Sequence, residues 1–179
     1  MIALRIPDPI RAEIKQKYPF VDSETLNNLH ITLIYLGDSR TLDKIKVIRA
    51  ASDFAQYQAP IKGVLQGLAR FINGQAVDPL VVTFDSPQMP RLYTGLANSL
   101  ETYQIPYHKE HGFIPHMTLA YIPKDSGLPI DTIEPIEINF SEVYYVDGEV
   151  WFPVDFVGYE NKGISTTAIN LNLSADEIK

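Results

Sequence analysis

The sequence predicts an α+β protein with mostly antiparallel sheets. Segments typical of strands and helices follow one another in the order strand, helix, strand, helix, strands, and then strand, helix, strand, hairpin. Asp147-Gly148 lies between two β-rich runs, a pattern typical of a tight hairpin. One apolar run also occurs in two similar versions, which begin at His30 and at His116, 86 positions apart. These observations indicate two similar halves within one chain.

The first half is predicted to contain short elements separated by prolines, glycines and polar residues. They are a strand over 2–6, a helix over 10–17, a loop over 21–28, a strand over 29–36 and a helix over 41–57. In the last helix, apolar residues such as Leu42, Ile45 and Ile48 recur at helical spacing. A strand follows over 61–72, and Asn73-Gly74 is a strong hairpin turn. The next strand, over 80–84, begins the second half.

The second half is predicted to contain a helix over 90–103, a loop over 104–114, a strand after Pro115 and a hairpin within 136–155. Residues 169–173 alternate well enough to form a last strand. No low-complexity linker, nucleotide-binding glycine loop or repeat of 20–50 residues is present. We therefore expect one bilobal domain over 1–179, with halves of roughly 1–75 and 76–160 and a tail or last strand over 161–179.

The composition is typical of a globular protein. Hydrophobic residues make up 45% of the chain and charged residues 21%, so wholesale disorder is excluded. The absence of cysteine excludes disulfides, thiolate metal sites and cysteine nucleophiles. The net charge of −7 argues against binding to long nucleic acid, but it allows a small nucleotide or an RNA end. No signal peptide or membrane span is recognisable, so we expect a cytoplasmic protein without a membrane partner.

The repeated segments are His30-Ile-Thr-Leu and His116-Met-Thr-Leu. Because side chains two positions apart in a strand share a face, each histidine shares a face with its threonine, Thr32 or Thr118. At neutral pH one imidazole can be neutral and a second protonated, so the pair can act as general base and general acid at a phosphodiester. The threonine hydroxyls can donate hydrogen bonds to the non-bridging phosphate oxygens. This chemistry needs neither a metal ion nor a cofactor.

The pair of motifs resembles the two-histidine (2H) phosphoesterase superfamily, which carries one His-x-Thr/Ser-x motif in each half of a bilobal fold. The apolar flanks and Leu36-Gly37 are similar to its LigT-like branch of RNA 2′,5′-ligases and cyclic phosphodiesterases. The resemblance implies two pseudo-symmetric, mostly antiparallel lobes with helices outside and a central groove. The groove is expected to be lined by the motif residues, His30, Thr32, His116 and Thr118.

The motifs and the resemblance together indicate a metal-independent phosphodiesterase, and we expect a monomer. Members of the superfamily act on 2′,3′-cyclic phosphates, ADP-ribose cyclic phosphates, 2′,5′-linked oligonucleotides or cyclic oligonucleotide signals, and phage-encoded relatives degrade immune signals. The expected partner is therefore a small nucleotide, a cyclic (oligo)nucleotide or an RNA terminus. The sequence does not select among these substrates. It also does not show which histidine is the acid.

Several residues outside the motifs are candidates for substrate contact. They are an aromatic residue and a histidine in the loop before the second motif and three cations, namely Phe113, His111, Lys109, Lys124 and Arg70. Phe113 can stack a base, since every base has a π-face. Strand alternation places Tyr35, Tyr121 and Trp151 in the core instead.

Four alternatives stay open. His108, Glu110, His111 and His116 suggest a zinc site, but they belong to a polar loop without a second ligand cluster, and no metal is expected. The chain can also be a non-catalytic module that binds a nucleotide, or a structural protein in which the motifs are incidental. RNA ligation is the reverse of the same chemistry and stays open as a further activity.

Overall fold

The computed structural model describes residues 1–72, 75–109 and 112–158. Within these ranges the strands are β1 (Ile2–Arg5), β2 (His30–Ile34), β3 (Ile61–Arg70), β4 (Val77–Asp85), β5 (His116–Pro123), β6 (Ile136–Phe140), β7 (Glu142–Asp147) and β8 (Val150–Asp155). The helices are α1 (Asp8–Lys17), α2 (Ser23–Asn27), α3 (Lys44–Ala55) and α4 (Met89–Thr102). The predicted Asn73-Gly74 turn and the predicted strand over 169–173 lie outside the described residues.

The eight strands form one antiparallel sheet in the order β6-β3-β4-β5-β2-β1-β7-β8. The predicted α+β class with antiparallel pairing is therefore confirmed. One continuous sheet, and not the two expected sheets, spans both halves of the chain, because β2 pairs with β5, with Ile31 across from Met117. Each half of the sheet also contains strands from the other half of the chain. Strand β3 lies between β6 and β4, whereas β7 and β8 lie beside β1. Both motif strands consequently lie at the centre of the sheet.

The core covers one face of the sheet. Side chains that alternate with the motif residues are buried there, including Ile31, Leu33, Met117 and Leu119. Helix α4 packs Leu92, Leu96 and Leu100 into the same cluster. The opposite face of β2 and β5 carries the partly exposed histidines and threonines. Burial of the apolar face thus fixes the strand register, and this register keeps the histidines and threonines on the opposite face.

Two predicted elements differ from the structure for local reasons. The segment 21–28, predicted as a loop, contains α2 because the Asp22 carboxylate accepts a hydrogen bond from the Thr25 backbone N–H and caps the helix. The segment 136–155, predicted as one hairpin, contains three strands.

In α3, Ile45 is 65% exposed, since the buried stripe runs through Val47 and Ala51 instead.

A β-bulge in β3 shapes the sheet beside the second motif. Gln66 pairs with Thr83 and Leu68 pairs with Val82, which leaves Gly67 as the extra residue, with a φ of +75°. A Cβ at Gly67 would lie 2.8 Å from Thr83 Oγ1. Both its left-handed backbone and this close approach require a glycine.

We expect Gly67→Ala to lower the free energy of unfolding by about 1–2 kcal/mol, because an L-residue in the left-handed region costs that much. Urea unfolding of the variant and the wild type measures the difference. The matched control is Gly127→Ala, since a Cβ at Gly127 meets nothing within 4 Å. Equal stability of the Gly67 and Gly127 variants would show that the bulge does not require glycine.

None of the helices within the described ranges has both the length and the apolar character that a membrane crossing requires. The same ranges contain no group of three or more His, Asp or Glu side chains placed to hold a metal ion.

Candidate active site

The two motifs lie side by side on adjacent strands. The antiparallel register of β2 and β5 sets His30 across from Thr118, and it sets Thr32 across from His116. Opposite side chains on one face of a sheet have Cβ atoms about 5 Å apart. These four side chains, which we call the His/Thr square, therefore form a compact polar cluster from two distant parts of the chain.

Both imidazoles are held in the same way. His30 Nδ1 lies 2.6 Å from the backbone oxygen of Asn28, and His116 Nδ1 lies 2.7 Å from that of Ile114. Because a carbonyl oxygen can only accept a hydrogen bond, Nδ1 donates in each case and carries a hydrogen. Each Nε2 is then the nitrogen that can take up or release a proton. The arrangement gives two oriented acid–base groups with the same tautomer.

An aromatic ring packs edge-on against each imidazole. The Trp151 and His30 ring centroids are 5.7 Å apart, and those of Phe71 and His116 are 4.8 Å apart. Trp151 is also 5.1 Å from the Arg5 guanidinium carbon. The prediction that Trp151 belongs to the core is wrong, because Trp151 pairs with Val146 on the face of the sheet that carries His30. Sequence reasoning missed Phe71 altogether, since nothing in its local pattern indicates a contact with His116.

A matching β-bulge follows each threonine. In β2, Ala3 pairs with Thr32 but Ile2 pairs with Ile34, which leaves Leu33 as the extra residue. Leu33 and Ile34 are therefore both buried, and the next residue, Tyr35, is 56% exposed. The prediction of a buried Tyr35 is wrong because the bulge reverses the alternation of the strand.

The bulge in β5 has the same effect. Val81 pairs with Thr118 and Leu80 pairs with Ala120, so that Leu119 is the extra residue. Tyr121 is consequently 62% exposed, and the prediction that it is buried is also wrong. Its side chain lines the same cavity as three members of the His/Thr square, on the face that strand alternation alone had excluded.

A cavity of about 490 Å³ opens beside His30. Its lining combines three members of the His/Thr square with an aromatic ring and residues around α2, namely His30, Thr32, Thr118, Tyr121, Asp22, Glu24, Thr25 and Asn28. The two carboxylates at its rim add negative charge. A ligand in this cavity therefore meets hydroxyls, an imidazole and one aromatic wall, but few cations.

Burial lowers the pKa of His30 from its ordinary 6.5. The hydrogen bond with Asn28 acts in the opposite direction, and the positive charge of His116 lowers the pKa further. His30 consequently stays neutral to more acidic pH than a free imidazole does. The neutral form of an imidazole is the form that can accept a proton.

We expect the His30 imidazole to titrate below pH 6.5 in the wild type, when followed by its ring proton signals in NMR. In His116→Gln the midpoint of His30 should rise, because a neighbouring positive charge that opposes protonation is gone. A His30 midpoint at or above 6.5 that ignores the His116 substitution would contradict this electrostatic coupling.

The predicted binding residues outside the motifs lie in different surroundings. Phe113 stacks on Tyr93, with ring centroids 4.5 Å apart, and lies outside the cavity beside His30. The Lys109 ammonium pairs with Glu101 at 2.6 Å, and its pKa is raised by that hydrogen bond. Lys124 directly follows β5 and is exposed, without an ion pair among the described residues. His111 and Glu110 lie outside the described residues.

Arg70 has a structural partner. Its Nε donates to Asp78 at 2.8 Å, and its terminal nitrogens donate to the backbone oxygens of Pro123 and Ser126, each at 2.9 Å. These contacts fasten the loop that follows β5. Arg70, one of three possible phosphate cations in the sequence, thus has protein partners for its guanidinium.

The sequence matches a known family over most of its length. The model of the 2′-5′ RNA ligase superfamily matches residues 6–143, which include the whole His/Thr square. The chain belongs to the 2′-5′ RNA ligase superfamily. This confirms the family that the two motifs predicted.

Solved structures share the fold of this superfamily member. TT0787 of Thermus thermophilus has a TM-score of 0.66 and 19% sequence identity, over 89% of this chain and 98% of that chain. LigT of E. coli in complex with 3′-AMP has a TM-score of 0.56 and 20% identity, over 86% of this chain and 93% of that chain. A protein described as a phosphoesterase has a TM-score of 0.57 and 18% identity, over 86% and 92% of the two chains. No curated protein sequence matches the chain.

Proposed function

We propose that this superfamily member is a metal-independent phosphodiesterase that acts on a small nucleotide, a cyclic oligonucleotide or an RNA end. One observation carries the proposal, namely the His/Thr square with both Nε2 atoms left for proton transfer. The 2′-5′ RNA ligase superfamily and the phosphoesterase among the structural relatives belong to the same area of phosphate chemistry. All four groups come from one chain, so a monomer is sufficient.

In the proposed hydrolysis, the phosphate lies over the His/Thr square. His30 Nε2 takes a proton from the attacking water, in keeping with the lowered pKa of His30. The water oxygen forms a bond to phosphorus, and the bond to the leaving oxygen breaks. Protonated His116 gives its proton to that leaving oxygen, and solvent exchange restores both imidazoles. In the reverse direction the two histidines exchange roles.

Thr32 and Thr118 hold the phosphate during this reaction. Each hydroxyl is set across from the opposite histidine, so each can donate a hydrogen bond to a non-bridging oxygen. The negative charge that builds up on these oxygens makes the hydrogen bonds stronger in the transition state than in the ground state. The threonines thereby supply stabilisation that a strongly basic protein would supply with lysine and arginine.

The substrate class follows from size and charge. The cavity of about 490 Å³ beside His30 has room for a nucleoside but not for a long duplex. The net charge of −7 and the carboxylates of Asp22 and Glu24 disfavour a substrate with many phosphates. The structurally similar LigT has been solved with 3′-AMP, ATP, NADP+ and phosphate, which supports a nucleotide as the ligand of this fold.

A substrate panel tests the proposal. The wild-type protein is incubated with 2′,3′-cyclic mononucleotides, 2′,5′-oligoadenylate, ADP-ribose 1″,2″-cyclic phosphate and cyclic di- and trinucleotides, and the products are separated by chromatography. We expect cleavage of at least one class. Joined ends of RNA fragments would instead identify a ligase, and recovery of a bound but intact ligand would identify a binding module.

A further inference from the structure

The two tyrosines after the bulges are both exposed. The burial of side chains is the same along both strands, with two consecutive buried residues after each threonine and then an exposed tyrosine. Tyr35 is 56% exposed and Tyr121 is 62% exposed. Neither hydroxyl has a hydrogen-bond partner within the described ranges. An exposed aromatic ring beside a polar site can stack on a base of a bound ligand.

Antiparallel pairing sends the two tyrosines to opposite ends of the His/Thr square. Tyr121 lies beyond Thr118 along β5, where it lines the cavity with His30 and Asn28. Tyr35 lies beyond Thr32 along β2, at the end where His116 begins β5. There the Tyr35 backbone oxygen accepts a hydrogen bond of 3.0 Å from the His108 N–H, in the segment that leads to the second motif. Each histidine therefore has one exposed tyrosine at its end.

The Tyr35 end has an aromatic wall of its own. The ring centroids of Tyr35 and His108 are 5.2 Å apart, with the planes tilted by 47°. His108 approaches the chain closely at Gly37, where a Cβ would lie 3.1 Å from His108 Nε2. The glycine thus lets the imidazole lie against the turn after β2. The result is a second exposed ring pair, separate from the cavity beside His30.

The chemistry of both ends suits nucleosides better than phosphates. An aromatic face stacks any base, whatever its hydrogen-bonding edge. At the Tyr121 end, the carboxylates of Asp22 and Glu24 would repel a second phosphate, while they can accept hydrogen bonds from ribose hydroxyls or base amino groups. A phosphodiester bound at the His/Thr square would therefore place an uncharged base near each tyrosine.

Resting on the phosphodiesterase proposed above, we infer that the substrate is a phosphodiester flanked by a nucleoside on both sides. Tyr121 stacks the base at the His30 end, and Tyr35 stacks the base at the His116 end. Linear dinucleoside monophosphates and cyclic dinucleotides share this chemistry. A 2′,3′-cyclic mononucleotide offers a base on one side only, so it would use one tyrosine and leave the other uncovered.

Binding to a protein that cannot turn over separates this inference from the proposed reaction. His30→Gln/His116→Gln is titrated with 2′,5′-ApA, 3′,5′-ApA, cyclic di-AMP and 2′,3′-cyclic AMP by calorimetry. In this background we expect Tyr35→Ala and Tyr121→Ala each to weaken the two-base ligands by roughly 5- to 150-fold, the range measured for loss of one stacked base. Tyr→Phe at either position should bind like the parent, since it keeps the ring. For the one-base ligand only one of the two Ala substitutions should matter.

The control is Tyr57→Ala, because Tyr57 is 87% exposed and lies after α3, away from both motifs. The inference falls if either Ala substitution leaves the Kd of every two-base ligand unchanged, or if the one-base ligand needs both rings. A preference for linear or for cyclic ligands that depends on both tyrosines supports the inference and shows which of the two ligand classes binds. If both tyrosines matter but the wild type cleaves none of the ligands, the two-base site stands and the phosphodiesterase fails. If the wild type cleaves a cyclic mononucleotide and neither tyrosine matters, the phosphodiesterase stands and the two-base site fails.

Discussion

Replacement of either motif histidine by alanine is expected to lower kcat by about 10²–10⁴-fold, the typical contribution of one general acid or base. The expectation follows from the geometry, since His30 and His116 each present an oriented Nε2 beside a threonine of the other motif. The double variant should lose little beyond the worse single variant, because the two groups act as a unit. Steady-state kinetics on the cleaved substrate measure all three losses.

Both histidines are partly exposed, so their loss should leave the melting temperature close to that of the wild type. A partial recovery of activity on adding free imidazole would show that proton transfer, and not folding, was lost. Near-wild-type turnover by both His30→Ala and His116→Ala would contradict the assignment of general acid and base.

The second large effect is expected at Asp78, far from the reaction. Asp78 is 1% exposed and accepts a hydrogen bond of 2.8 Å from Arg70 Nε. Asp78→Ala leaves the Arg70 guanidinium in a partly buried position without its counter-charge, and breaking such a pair costs about 3–5 kcal/mol. For a chain of this size we expect the melting temperature to fall by roughly 10 °C.

Calorimetry on Asp78→Ala and on a surface control measures this difference. The control is Glu134→Ala, which removes the exposed ion pair with Lys17 and should change the melting temperature little. Comparable shifts in the two variants would mean that Arg70 and Asp78 do not fasten the loop after β5.

The alternation of the motif strands could be predicted from the sequence because a buried face imposes a period of two. Ile31 and Met117 are buried as expected, and the histidines and threonines share the opposite face. The family also followed from the sequence, because two matching tetrapeptides one domain-half apart are more specific than either alone.

The tyrosines could not be predicted by the same rule. A β-bulge inserts one residue and reverses the alternation, and neither Leu33 nor Leu119 is a residue type that indicates a bulge. The edge-on contacts of Trp151 and Phe71 with the two histidines depend on strand pairing between distant segments, which local patterns do not contain. For α2 a signal was present, since Asp22 stands at the position typical of an N-cap.

The most direct test of the proposed function is hydrolysis of the nucleotide panel in excess EDTA by the wild type and by His30→Ala/His116→Ala. The geometry predicts that the wild type cleaves one class of phosphodiester with the chelator present, and that the folded double variant does not. Cleavage that stops on adding EDTA, or that survives the loss of both imidazoles, would contradict metal-independent catalysis by the His/Thr square.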